Sequence, residues 1–173
     1  DFEYNLNKIL YFVDLASKQE ADLVIFSELV LCGYPPKDLL LKKQFIEDNK
    51  RYLSILSKKI PTGIRVVVGF AEENKGVGKP LFDSLALVKK GEIVCTRQKI
   101  LLPTYDVFDE DRYFEPGIVI KSVEFNSKSI GLSICEDIWH SDLSWTMPRY
   151  HIDPIVELGK QNIDFLINSS ASP

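Results

Sequence analysis

A series of short, β-branched apolar runs constrains the fold of this chain more than any other feature. "DLVIF", "IRVVVGF", "LALV", "IGLSI" and "DFLIN" are each too short to span a bilayer and have strand-like composition. Glycine, proline, asparagine or charged residues separate them. Other stretches carry a different rhythm. In "NLNKILYFVDLASKQE", Leu6, Ile9, Leu10, Val13 and Ala16 fall on one face at helical spacing. Helices interleaved with apolar strands and hairpins give a mixed α/β sandwich. With 173 residues and 45% hydrophobic content, the chain has material for one domain with a real core.

Helices are predicted over residues 5–20 and 38–59, the second ending before Pro61. Strands are predicted over residues 64–72 and over 21–28, the latter covered on both faces. Residues 81–88 and 92–99 flank "KKG" as a hairpin, and residues 118–125 and 128–135 form another around Asn126 and Ser127. Residues 100–117 show no regular pattern. Asp153 stands as an N-cap with Pro154 at the first helical position, and a last strand covers 163–170. The chain opens directly on a helix and stops after a strand, which reads as a fragment of a larger unit.

The formal net charge of −4 disfavours a nucleic-acid binder. No apolar run is long enough to cross a membrane, and no signal peptide opens the chain. Cys32, Cys95 and Cys135 form no CxxC pair, so neither a disulfide framework nor a zinc knuckle is suggested. A reducing, cytoplasmic setting is expected.

Three residues of complementary chemistry end predicted strands: Glu28, Lys99 and Cys135. In α/β sheets the carboxyl ends of strands converge on one rim, where sites are built. An ammonium there favours a thiolate, and a carboxylate can carry its proton. "SICEDIW" poses a difficulty, because Glu136 and Asp137 beside Cys135 disfavour the thiolate. Lys99 is expected to offset them. Taken singly, each residue also has a bland reading, Glu28 and Lys99 as solvated strand ends and Cys135 as core filler. Trp139 reads as packing beneath the turn, and spacing gives Asp137 no role. Other chemistries find less support. His140 and His151 read as solvated rather than as partners of a cysteine nucleophile. There is no GxSxG elbow, "GVGKP" lacks the P-loop pattern, and no metal-ligand motif stands out.

The segments "FSELVLCGYPPKDLL", "RQKILLPTYDVFDEDRYFEPG" and "GLSICEDIW" resemble, in order, the three signature blocks of the nitrilase (carbon–nitrogen hydrolase) superfamily. The similarity spans essentially the whole chain. It implies a four-layer α-β-β-α sandwich and a Glu-Lys-Cys triad. In that triad Glu28 is the general base, Lys99 the oxyanion stabiliser and Cys135 the nucleophile. Glu110 matches a second glutamate that supports the lysine and the substrate.

A narrower likeness rests on "GYPPKDLL", "LPTYDVFDEDRYF", "CEDIW" and "NSSASP", which are similar to glutaminase domains of glutamine-dependent NAD synthetases. It implies hydrolysis of glutamine, with ammonia passed to a synthetase domain of the same polypeptide. That domain uses ATP and magnesium to amidate deamido-NAD, and the present domain needs no cofactor. Tyr105, Glu136 and Ser172 would hold glutamine, whose ammonium suits a carboxylate such as Glu136. A stand-alone amidase or carbamoylase, or a non-catalytic scaffold domain, is the alternative. Family analogy implies a homo-oligomer. Relatives begin with a strand before the first helix and continue beyond "SASP", so the sandwich is expected to be incomplete at both ends. The synthetase domain does not lie within this sequence.

Overall fold

The structure, a computed structural model, describes residues 1–106, 108–140 and 150–171. Two sheets stack face to face. The first runs in the order β1 (Leu23–Ile25), β2 (Arg65–Glu73), β3 (Leu81–Lys89) and β4 (Glu92–Gln98). β1 and β2 are parallel, and the other pairs are antiparallel. The second sheet holds β5 (Val123–Phe125), β6 (Lys128–Ile134) and β7 (Phe165–Ser169), with β6 and β7 parallel. Helices α1 (Phe2–Lys18) and α2 (Lys43–Lys59) cover the first sheet, and the short α3 (Pro154–Gly159) covers the second.

Strand alternation produces these layers. Val66, Val68 and Phe70 of β2 pack with Leu6, Ile9 and Val13 of α1 and with Leu53 and Leu56 of α2. Val67 points the other way, and with Leu85 and Leu87 of β3 it meets Ile130, Leu132, Ile134 and Ile167 of the second sheet. Both faces of β2 and β3 are therefore buried, which is why their sequences are nearly unbroken apolar runs. On β6, Gly131 faces α3. A Cβ there would lie 3.0 Å from the Ile163 side chain and 3.1 Å from that of Leu158, so the glycine lets α3 sit close. The layers are α-β-β-α, as the family resemblance implies.

The structure departs from the sequence expectations in three elements. β1 is only three residues long and lies at the edge of its sheet, with Ile25 49% exposed rather than covered on both faces. After Ile25 the chain leaves the ladder. Phe26 N still donates to Val67 O at 2.9 Å, but the next backbone bond to β2 runs from Leu31 N to Gly69 O at 3.1 Å. The second helix is broken at Lys42, whose backbone is extended, and a 3-10 turn over Lys37–Leu41 precedes it. The strand expected over 118–125 shrinks to Val123–Phe125, and Ile118 is 91% exposed. Side chains satisfy that backbone instead of a ladder. Arg97 donates to Lys121 O and Ser122 O, and Gln161 bonds Ile120 O and Ser122 N. Asp153 does cap α3, accepting from the amides of Ile155 and Val156. No helix among the described residues is long and apolar enough to cross a membrane.

Candidate active site

Glu28 sits on the arch where the chain leaves β1 and crosses β2. The crossing is close. A Cβ on Gly69 would lie 2.2 Å from Leu29 N and 2.7 Å from Ser27 O, so only glycine allows it. The next residue, Leu29, has left-handed backbone with φ 49°. Glu28 is thereby turned inward and is 1% exposed. Its Oε2 accepts from Ala171 N at 3.1 Å, just past the end of β7. The Ser169 hydroxyl also bonds Phe26 O, tying the two sheets together at this end.

Lys99 follows β4 directly, and its backbone is held at both ends. Its N–H donates to Asp83 O at 2.8 Å, and its carbonyl accepts from Gly117 N at 2.7 Å. The side chain is fully buried. Nζ donates to Glu28 Oε1 and to Glu110 Oε2, both at 2.6 Å, and lies 4.0 Å from Asp83 Oδ2. Burial alone would push the lysine down, but Glu28, Asp83 and Glu110 outweigh it and hold it well above its ordinary value. The acids thus favour the ammonium form of Lys99. Burial, and then the neighbouring Glu28, push Glu110 up against the pull of Lys99. Tyr34 donates to the other Glu110 oxygen at 3.1 Å.

Cys135 begins the turn Cys135–Ile138 immediately after β6, with left-handed backbone at φ 41°. A non-glycine residue in this region is strained, and such strain is concentrated at functional sites. Burial pushes the thiol up to about 11, Glu28 adds to the rise, and Lys99 and Ser170 oppose it. The resting group is a thiol, so a base must take its proton before it attacks anything.

The two acids after Cys135 bond elsewhere, which corrects the expectation that they are what presses on the thiol: burial and Glu28 raise it, and Lys99 opposes that rise. Asp137 accepts from Ile100 N and Leu101 N through Oδ1, and from Ile134 N through Oδ2, at 2.9 to 3.0 Å. It ties the segment leaving Lys99 to the strand entering Cys135. Burial nevertheless raises it to about 6, against these backbone bonds. Glu136 is buried and accepts from the Tyr105 and Tyr150 hydroxyls, both at 2.8 Å. Trp139 is 48% exposed and does not pack beneath the turn. Ser172 lies outside the described residues.

The structure therefore brings Glu28, Lys99, Cys135 and Glu110 together, and it sets Tyr105 and Glu136 side by side at the turn that carries the thiol. It also adds residues that the sequence did not reveal, namely Asp83, Tyr34 and Tyr150. Asp83 had a signal, because a lone acid inside "LFDSLALV", a run of buried-strand composition, is an anomaly. Oxygens of Glu28, Asp83 and Glu110 lie within 4.8 Å of one another, a spacing suited to a metal ion. Lys99 Nζ lies among them, so an ammonium takes the place of a cation. A cavity of about 610 Å³ opens beside the cluster and reaches it at Glu110, with Leu29, Tyr34, Phe108, Arg112 and Ala171 also among its lining. This volume suits a small-molecule substrate.

A buried ammonium between two glutamates, with a thiol on a strained turn next to them, is an arrangement that can hydrolyse an amide through a thioester. The family model "Carbon-nitrogen hydrolase" matches residues 1–169. The chain belongs to the carbon–nitrogen hydrolase family. It is 40% identical to a glutamine-dependent NAD(+) synthetase from Synechocystis sp., over 98% of this chain and 31% of that protein. It is 36% identical to the enzyme of the same name from Thermotoga maritima, over 100% of this chain and 28% of that protein. Among solved structures, a glutamine-dependent NAD+ synthetase from Acinetobacter baumannii in complex with ADP superposes with TM-score 0.83 at 31% identity, covering 100% of this chain and 30% of that one. A nitrilase-superfamily amidase from Nesterenkonia shares the fold, with TM-score 0.77 at 18% identity over 98% of this chain and 60% of that one. The chain thus spans under a third of the length of the synthetases it matches.

Proposed function

We propose that this carbon–nitrogen hydrolase is the glutaminase part of a glutamine-dependent NAD synthetase. The observation that carries the reading is the Lys99 ammonium held 2.6 Å from both Glu28 and Glu110, beside the Cys135 turn. The identity to synthetases along the whole chain supports glutamine as the substrate. In this reading Cys135 Sγ attacks the side-chain amide carbon of glutamine while its proton passes to Glu28. An ammonium has three hydrogens, and Lys99 spends two on the glutamates. The third, with backbone N–H groups near Cys135, serves the oxyanion. The C–N bond breaks as Glu28 returns the proton to the departing nitrogen, giving ammonia and a thioester. Glu28 then takes a proton from water, hydroxide adds to the thioester carbon, and the C–S bond breaks to give glutamate and the free thiol.

Tyr105, Glu136 and Ser172 are assigned to glutamine. Glu136 sits beside Tyr105 at the turn that carries Cys135, and a carboxylate there suits the ammonium of glutamine. ATP and magnesium belong to a synthetase part of the same polypeptide, which would use the ammonia to amidate deamido-NAD. A cytoplasmic enzyme and a homo-oligomer complete the proposal.

The test is ammonia release from glutamine, asparagine and simple aliphatic amides by the full polypeptide and by Cys135→Ala. Glutamine-selective release that the alanine variant abolishes is the expected result. Selective turnover of the simple amides would move the assignment to a stand-alone amidase. Undiminished release by the variant would remove Cys135 from the chemistry.

A further inference from the structure

Asp83 is a fully buried acid that the mechanism above does not use. It lies on β3 with its side chain 1% exposed, and neither carboxyl oxygen meets a hydrogen-bond donor among the described residues. A buried carboxylate normally collects donors, because leaving it bare costs several kcal/mol. Its surroundings are acidic. Glu28 comes from the arch after β1 and Glu110 from the 3-10 turn Glu110–Arg112, and one oxygen of each lies within 4.8 Å of an Asp83 oxygen. The one cation among the described residues of the cluster, Lys99 at the end of β4, spends its short contacts on the other two acids and stays 4.0 Å from Asp83. Among the described residues, the buried Cys32 thiol also faces Asp83, and burial and Asp83 together push it up to about 12, so it is neutral. Three ionised acids around one ammonium would leave a net charge of two negatives among buried side chains.

We infer that Asp83 keeps its proton and donates it as a hydrogen bond to the Glu28 carboxylate, making Asp83 a positioning residue for the general base. The inference rests on the glutaminase reading for its catalytic meaning and on the cluster geometry for the proton itself. Glu28 then has three partners: Lys99 on Oε1, Ala171 N on Oε2, and the Asp83 hydroxyl. This fixes the carboxylate while it shuttles a proton between Cys135, the leaving nitrogen and water. Asp83 is not consumed, and its proton stays in place through the cycle. Burial, and then Glu28, hold its carboxyl well above the usual carboxylate range, in the same direction.

The experiment has two readouts on the full polypeptide. The first does not depend on turnover. Difference infrared spectroscopy of wild type against Asp83→Asn at neutral pH should show loss of a protonated-carboxyl C=O band. If only carboxylate bands change, Asp83 is ionised and the inference falls. The second readout is kinetic. Asp83→Ala should lower kcat for ammonia release by about tenfold, a fraction of what a positioned general base supplies. Asp83→Asn, a neutral donor of the same shape, should restore most of it. An asparagine variant as slow as the alanine variant, with both folded by circular dichroism, overturns the positioning role. If the alanine variant fails to fold, the infrared result and the asparagine rate relative to wild type still decide. A wild-type protein that releases no ammonia from glutamine defeats the functional reading and leaves the infrared readout intact.

Discussion

Two groups of buried carboxylates sit within a few residues of the chemistry, and they are neutralised in different ways. Glu28, Asp83 and Glu110 gather around one ammonium, Lys99. Asp137 instead collects three backbone amides, and Glu136 beside it accepts from two phenols. The first group has fewer donors than acceptors, and it holds Glu28, the acid that carries the proton in the proposed reaction. The amides around Asp137 are part of the backbone and cannot follow a reaction, so that acid sets geometry. Adjacent positions in a sequence, such as Cys135 and Glu136, can therefore belong to different electrostatic units. Distant ones, such as Glu28 and Glu110, can form a single unit.

The largest effect should come from removing the only cation in the first group. Lys99→Met keeps an unbranched side chain one atom shorter but leaves three acids facing one another. Ammonia release from glutamine should fall by about three orders of magnitude or more, the scale of losing an oxyanion donor together with the charge that supports the base. The Cys135 thiol, already up at about 11, should rise further, because Lys99 opposes the rise. Alkylation of the Cys135 peptide, followed by mass spectrometry across alkaline pH, measures this directly. A variant whose alkylation profile matches wild type would show that Lys99 does not act on the thiol. The first group would then need a different account.

Asp137 tests the second group. Asp137→Ala leaves three amides without their acceptor, two of them buried, and should cost about 2–4 kcal/mol of stability in chemical denaturation. Asp137→Asn should cost less, since its oxygen can still serve Ile100 and Leu101 while its NH2 faces the amide of Ile134. The pH dependence has a definite sign. The folded-state value, about 6, lies above the ordinary value of 3.8. The extra proton affinity of the folded state therefore adds stability that is fully present below about 3.8 and is lost as pH rises through about 6. The stability advantage of wild type over Asp137→Asn should narrow across that window and be constant above it. A widening gap would mean that the three amides overcome burial.

Much of this was legible in the sequence, and the failures have physical causes. Apolar runs and hairpin turns located β2, β3, β4 and β6, helical spacing located α1, and an Asp-Pro pair located the cap of α3, because burial and backbone chemistry leave local marks. The three strand ends carrying Glu28, Lys99 and Cys135 were visible because Glu, Lys and Cys close apolar runs. Other features depend on contacts far apart in the chain. Gly69 matters because residues 27–29 pass over it, and Asp137 matters because residues 100 and 101 return to it. Neither contact has a local period. β5 is shorter than its composition predicts for the same reason. "IVIK" has strand composition, but Arg97 and Gln161 claim its backbone. The direction of the acids after Cys135 was also beyond composition, because a turn that begins at φ 41° re-aims every side chain that follows.

The smallest effect sharpens the comparison most, because it asks whether Glu136 only holds the turn or also reaches the substrate. Tyr105→Phe removes one phenol donor and leaves the Tyr150 bond to the other oxygen. One hydrogen bond to a partly buried carboxylate contributes about 1 kcal/mol net, or about fivefold in an equilibrium. If Glu136 holds the ammonium of glutamine, KM should rise by about fivefold with kcat nearly unchanged, since the contact is the same before and during bond breaking. If Glu136 serves only the turn, the change should appear in kcat with KM unaltered, because the Cys135 backbone would shift relative to Lys99. Steady-state kinetics on glutamine separates the two. The second outcome would place Glu136 beside Asp137 as a residue of geometry alone, and the substrate ammonium would need another partner.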